Sequence, residues 1–405
     1  MIVHKFKTIF LVGSSVIVGG CISDSMPSLQ TDKTSPSYET TGSIQPNATL
    51  AQTKNTQYNA WQKAYNAYDK KASAYWDDVA AKRRLRNKKR AAGQAIALSD
   101  YVLSQPPQYD GPAKPLTNKP VTRPKTSIPG TQDFMAASKK IYGFTPERPT
   151  DEAEFMRAYA EAAQRVGLTR NQLVSIYAFE TGGDGTHDLQ SGMIKGRANA
   201  RPLSTAIGYN QLVATASVSL MWEYGNDIAK ELKARAAQKN GANKKRLLSK
   251  AAVVDTMIKQ AKTVPHKWSE QAKLAKTEAG LGMHAMTMDK DVGPLLQIHK
   301  LQTSLMFLKR KGVTRQLSGA ELEMLNLTGD GNGYDMVTMP ENFRNQVPTS
   351  NFFLRLGYER NPVARRNNTV AQLIKATEDK MQINMKKDGA QLLNRVFYSN
   401  NLVQN

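Results

Sequence analysis

An acidic residue closing an apolar helix is the first feature of this chain that invites chemistry. The stretch "SIYAFETGGDGTHDLQSG" places Glu180 just ahead of Gly182 and Gly183, a pair that ends helices. Thr169 and Gln172 have the spacing of a capping box, so the helix is expected to start there. Leu173, Ile176 and Tyr177 stand seven, four and three positions before Glu180, which puts its carboxyl on their apolar face. Burial and the negative end of the helix dipole both disfavour ionisation at that place, so the group is expected to stay protonated near neutral pH. Protonating a glycosidic oxygen requires such an acid. Hydrolytic glycosidases add a second carboxylate. Asp184 and Asp188 follow in a Gly-rich loop and could supply it; turn formation and solvation are the plainer roles for both. His187 in that loop could touch substrate, its default being a solvent-exposed residue.

Other chemistries find less support. The five histidines, His4, His187, His266, His284 and His299, lack metal-ligand spacing. "DGNGYDMVTMPE" puts Asp330, Asn332 and Glu341 at positions one, three and twelve of a calcium loop, but Asp335 stands where that loop needs Gly, so a polar loop is expected. There is no phosphate-binding loop and no Ser/His/Asp arrangement. No metal or cofactor is expected.

The elements that must position Glu180 belong to a chain of 405 residues with a formal charge of +22, from 56 Lys and Arg against 34 Asp and Glu. That balance favours anionic partners: nucleic acid, a membrane surface or an acidic wall polymer. Lys5 and Lys7 precede a short apolar run at 9–20, which reads as a secretory signal. Val18-Gly19-Gly20-Cys21 resembles a bacterial lipobox, and Cys21 is the chain's one cysteine, so it is expected to be acylated and no intramolecular disulfide can form. Each buried methylene of such an anchor contributes about 0.8 kcal/mol of membrane binding. Export argues against nucleic acid as the partner.

Residues 21–55 are polar and Pro-containing and read as a disordered tether. In 56–95 a helix is expected, with Tyr58, Trp61, Tyr65, Tyr68, Ala72, Tyr75 and Val79 forming one stripe ahead of a basic run at 81–93. The stripe is expected to dock on the following domain with the basic run solvated; stacking on sugars is the alternative. A Pro-rich extended linker is expected over 96–130. The main domain, 131–405, shows almost wholly helical signals. Thr150 or Asp151 caps a helix that stops at Gly167, and 226–280 reads as a basic insertion of exposed helices with a loop near Gly241.

"FETGG" followed by "STAIGYNQLVATAS" resembles the lytic transglycosylases of the lysozyme superfamily, the SLT-like domains, in which a helix-terminal Glu is followed by a Gly-x-x-Gln turn. The resemblance runs from about Leu173 to Ala216, with an echo at Leu325–Gly333. Thr181 stands where the family usually has Ser. The resemblance implies a mainly α, lysozyme-like domain that cleaves peptidoglycan glycan strands. Glu180 matches the single catalytic acid/base, which yields anhydro-sugar ends through attack by the substrate's own hydroxyl. Gly208, Tyr209 and Gln211 match the substrate-binding turn. Asn326 takes the place of the Asn in a Tyr-Asn-Ala-Gly element, with Leu325 in place of its aromatic residue. The expected partners are glycan strands, the membrane through the lipid on Cys21, and an envelope machine; the expected place is the bacterial periplasm, at the outer membrane. Two alternatives stay open: a non-catalytic peptidoglycan-binding scaffold and a two-carboxylate muramidase.

Overall fold

Residues 47–115, 128–193 and 201–403 are described by a computed structural model, and they are mainly helical. The expected signal at 1–20, Cys21, most of the expected tether and residues 116–127 of the expected linker lie outside the described residues. Two units separate, one within Cys21–Thr126 and one spanning Ser127–Asn405. No helix among the described residues is long and apolar enough to cross a membrane.

The first unit is built on α1 (Asn47–Ala91), a continuous helix of 45 residues. It begins inside the segment read as tether, because Ala48, Leu50, Ala51 and Gln52 are good helix formers. Its aromatic stripe is contacted by the segment that follows it, with Tyr65 still exposed. The ring of Tyr109 meets Tyr65 at 5.7 Å and Tyr68 at 5.5 Å. Tyr75 Oη donates to the Ser104 carbonyl, and Lys114 Nζ stands over the Trp61 ring. Residues 98–115, read as open linker, therefore return along the helix. The basic run is drawn in as well: Arg86 is fully buried, its guanidinium 4.5 Å from the Tyr101 ring, and Lys89 pairs with Asp100 at 2.6 Å. An extended chain has carbonyls that need donors, and Lys82 supplies them to Ser99 and Tyr101.

The second unit opens with α2 (Thr131–Tyr142) and α3 (Glu152–Arg165), the latter capped by the Asp151 carboxylate accepting from the Glu154 N–H. Then comes α4 (Arg170–Thr181), which carries the Thr169–Gln172 capping box and ends on Gly182 in a left-handed conformation. After the loop at 182–193 and the 208–211 turn, α5 (Ala214–Ala237) and α6 (Gly241–Ala261) form a helical hairpin, followed by α7 (Trp268–Leu274) and α8 (Glu278–Ala285).

This hairpin is the segment read as an exposed insertion. Its inner stripe of Ile228, Leu232, Leu247, Val254 and Met257 instead joins the main hydrophobic core. The basic residues conceal a buried charge cluster, in which Lys250 is 1% exposed and lies 2.9 Å from Asp289 and 2.6 Å from Asp291. Arg235 and Arg246 also reach Asp291. Buried charges persist only when paired in this way.

Helix α9 (Gly293–Arg310) packs on α3 and α5. Beyond it α10 (Gly319–Thr328), capped by the Ser318–Glu321 box, bends at Gly329 into α11 (Asp330–Thr338). The tested calcium stretch is thus helical at 330–338 rather than a loop, and Asp330 accepts from Ser304 Oγ at 2.7 Å. Short helices α12 (Glu341–Arg344), α13 (Arg355–Glu359) and α14 (Pro362–Arg366) lead to α15 (Val370–Asn384) and α16 (Asp388–Val403). Both of the last two pack on α4, as does α10, so the helix bearing Glu180 is enclosed by elements distant in sequence.

Candidate functional site

Helix α4 ends where its carbonyls find donors. Asn384 Nδ2 donates to the Ala178 carbonyl at 2.9 Å, and Thr181 Oγ1 to the Tyr177 carbonyl at 2.6 Å. Tyr177 Oη fixes the next loop by donating to the Gly185 carbonyl. Leu173, Ile176 and Tyr177 are wholly buried, as their spacing required, and Glu180 at the helix end remains partly exposed. Burial pushes its carboxyl up to about 7, although hydrogen bonds from Glu323 and Asn326 and the charge of Lys300 pull the other way.

Glu323 is the residue that sequence reasoning missed. It is fully buried on α10, in hydrogen-bond contact with Glu180, and burial first and the neighbouring carboxyl second hold its pKa well above the usual range. Asn326, one helical turn on, donates from Nδ2 to Glu180 Oε1 at 2.8 Å and to Glu323 Oε1 at 3.3 Å. Once Asn326 is singled out on a helix, the three-residue spacing to Glu323 is a signal that could have found it. The absence of a cysteine, histidine or metal-ligand pattern around it left it unremarked. Leu325, in the place of the aromatic residue, is fully buried.

The 208–211 turn is held from three sides. Gly208 has φ +81°, and a Cβ there would lie 2.9 Å from Gln297 Oε1. Gln297 is fully buried on α9 and accepts from the Asn210 N–H at 2.9 Å, so it has little room to yield. Tyr159 Oη on α3 donates to Asn210 Oδ1. Gln211, with φ +45°, is the one non-glycine residue in the left-handed region among those described, and its amide donates to the Leu189 and Gly208 carbonyls, each at 3.0 Å. Strain of this sort persists where the surroundings over-determine the backbone.

Tyr209 lies in the core instead of facing a cleft. Its ring meets Tyr177 edge-on at 4.7 Å and Tyr159 at 5.2 Å, and its hydroxyl donates to Glu152. Glu152 also accepts from the His187 backbone N–H at 2.6 Å, and its other oxygen lies 3.0 Å from His187 Nδ1. His187 is accordingly buried, against the expectation of a solvent-exposed loop residue, because Glu152 and the Phe155 ring give it partners.

The two loop aspartates are committed elsewhere. Asp184 accepts from the Gly389 N–H at 3.1 Å, and Asp188 pairs with Arg148 and accepts from Thr186 Oγ1. Helix α9 joins the two halves of the site, with Gln297 bracing the 208–211 turn and Lys300, one turn later, acting on both carboxyls. Glu180, Asn326 and the newly found Glu323 are thereby in direct contact, while Gly208 and Gln211 form a braced turn on the same scaffold. Cys21 lies outside the described residues. Among the described residues, no group of three or more His, Cys, Asp and Glu could hold a metal ion.

An acid lifted to about 7 beside a second, buried carboxyl can give and recover a proton near neutral pH. Comparison of the chain with protein-family models, with curated proteins and with solved structures found no match.

Proposed function

We propose that this chain is a lipid-anchored lytic transglycosylase with a lysozyme-like domain, cleaving peptidoglycan glycan strands with Glu180 as its single acid/base. The observation that carries the reading is the state of Glu180, a half-buried residue at a helix end whose carboxyl is lifted by burial to about 7. In the first step its proton passes to the glycosidic oxygen as the anomeric C–O bond breaks. In the second, the carboxylate takes the proton of the substrate's own hydroxyl as that oxygen bonds the anomeric carbon, leaving an anhydro end. Gly208 and Gln211 are assigned to the sugar-facing turn.

The geometry favours this over a two-carboxylate muramidase. Glycosidase carboxyls that flank a sugar stand about 5–9.5 Å apart. Glu323 instead touches Glu180, and Asp184 and Asp188 are engaged in loop contacts. Acylation of Cys21, a periplasmic outer-membrane location and recruitment by an envelope machine complete the proposal, supported by the lipobox-like run and by the charge of +22. Digestion of purified sacculi tests it. Anhydro-muropeptides in the soluble fraction support the lyase, reducing ends point to the muramidase, and binding without release points to a scaffold.

A further inference from the structure

Glu323 has no counterpart in the chemistry just assigned, yet it is the group that Glu180 touches. We propose that Glu323 is a positioning residue, a carboxylic acid that stays neutral while Glu180 exchanges its proton and whose hydroxyl donates to the Glu180 carboxylate, fixing its orientation and setting the pH of that exchange. The proposal rests on the reading of Glu180 as the acid/base.

Three observations assign the proton to Glu323. It is fully buried on α10, whereas Glu180 is partly exposed at the end of α4, so charge is less costly on Glu180. Asn326 gives its N–H groups to the Oε1 atom of each carboxyl, but Oε2 of Glu323 receives no donor from the chain. A carboxyl oxygen buried without a donor carries a proton far more cheaply than a charge, and once protonated it needs an acceptor, which the contacting Glu180 carboxyl supplies.

The third observation is the supply of charge around the pair. Lys300 from α9 is the cation that acts on both carboxyls, and Tyr159 on α3, whose hydroxyl donates to Asn210, feels the charge of both. One lysine compensates one carboxylate. Two adjoining carboxyls then titrate in separate macroscopic steps, the first belonging mainly to the more exposed group.

The proton balance is simple. Glu180 gives its proton to the leaving oxygen and becomes a carboxylate held by the Glu323 hydroxyl and the Asn326 amide. It recovers a proton from the attacking hydroxyl, and Glu323 keeps its own throughout. Because Glu323 acts through Glu180, an amide in its place should do nearly the same work.

The test is the carboxyl titration of the full chain labelled with carbon-13 at the glutamate carboxyls, read by NMR with Glu180→Gln used to assign the signal. It needs no substrate, so it stands apart from the glycan-cleavage reading. In Glu323→Gln the Glu180 step should stay within about one pH unit of wild type, and the higher step of the pair should vanish. In Glu323→Ala, which removes the donor, the Glu180 step should move up by about one pH unit, and any cleavage of sacculi should fall on the order of tenfold, with Gln recovering most of it. Thermal melts report whether the Ala variant folds; the isosteric Gln variant decides the matter if it does not. A drop of the Glu180 step to the ordinary glutamate range in Glu323→Gln would show that an ionised Glu323 had raised it, and would overturn the proposal. So would a Gln variant as inactive as the Ala variant, which would make Glu323 a proton carrier.

Discussion

Asn326 Nδ2 lies 2.8 Å from Glu180 Oε1, although 146 positions separate the two residues. The contact joins α10 to the end of α4 and makes one amide answerable for the state of two carboxyls. Its donation lowers the pKa of both Glu180 and Glu323. Asn326→Ala should therefore raise the titration of Glu180 further, shift any pH–rate limb upward, and cost about 1–3 kcal/mol of stability. Thermal unfolding and the pH dependence of sacculus release check both effects.

Glu180 also leaves a signature in stability. Its folded pKa of about 7 lies above the usual 4.5, so between those values the folded chain holds a proton that the unfolded chain has released. The unfolded state then binds fewer protons, and stability falls as pH rises through that window, levelling off above it. Glu180→Gln removes the group, so the variant should match wild type near pH 4 and exceed it at pH 8. Equal slopes of melting temperature against pH in the two proteins would contradict the burial argument.

Gly208→Ala tests the turn. The left-handed backbone and the Gln297 amide, braced by Asn210, both oppose a methyl group. Destabilisation of about 1–3 kcal/mol is expected, with loss of sacculus binding larger than at Gly357, where nothing lies within 4 Å of an added Cβ. Equal effects at the two glycines in denaturant melts and pull-downs would remove the turn from the account.

The anchor is tested at Cys21. Cys21→Ala should leave the protein in the soluble periplasmic fraction or unprocessed. Membrane fractionation of a correctly cleaved Cys21→Ala protein would contradict lipidation.

Local signals carried the part of the site that was legible in the sequence. The Thr169–Gln172 capping box, the apolar spacing to Glu180 and the glycine stop predicted α4 and the burial of its acid, because caps and periodicity are written within one turn. Gly208 and Gln211 stood out only through the resemblance of "STAIGYNQLVATAS" to a Gly-x-x-Gln turn, not through caps or periodicity. Glu323 did not, since a carboxyl on another helix becomes notable only when the fold brings it to Glu180. The aromatic stripe on α1 packs on a segment that the sequence did not suggest: prolines forbid a helix at 104–115, but they do not forbid an extended strip that lies along one. The α5–α6 hairpin looked exposed because its lysines and alanines outnumber its large apolar residues. Lys250 shows how that misleads, since a lysine with two aspartates in reach can be buried.

The central claim, that Glu180 alone moves the proton, is tested most directly by mass spectrometry of muropeptides released from purified sacculi. Wild type should release anhydro-muropeptides, Glu180→Gln should lose at least about a hundredfold while still binding sacculi, and Asp184→Asn and Asp188→Asn should stay near wild type. Release by Glu180→Gln at the wild-type rate, or reducing-end products abolished by Asp184→Asn or Asp188→Asn, would contradict the account.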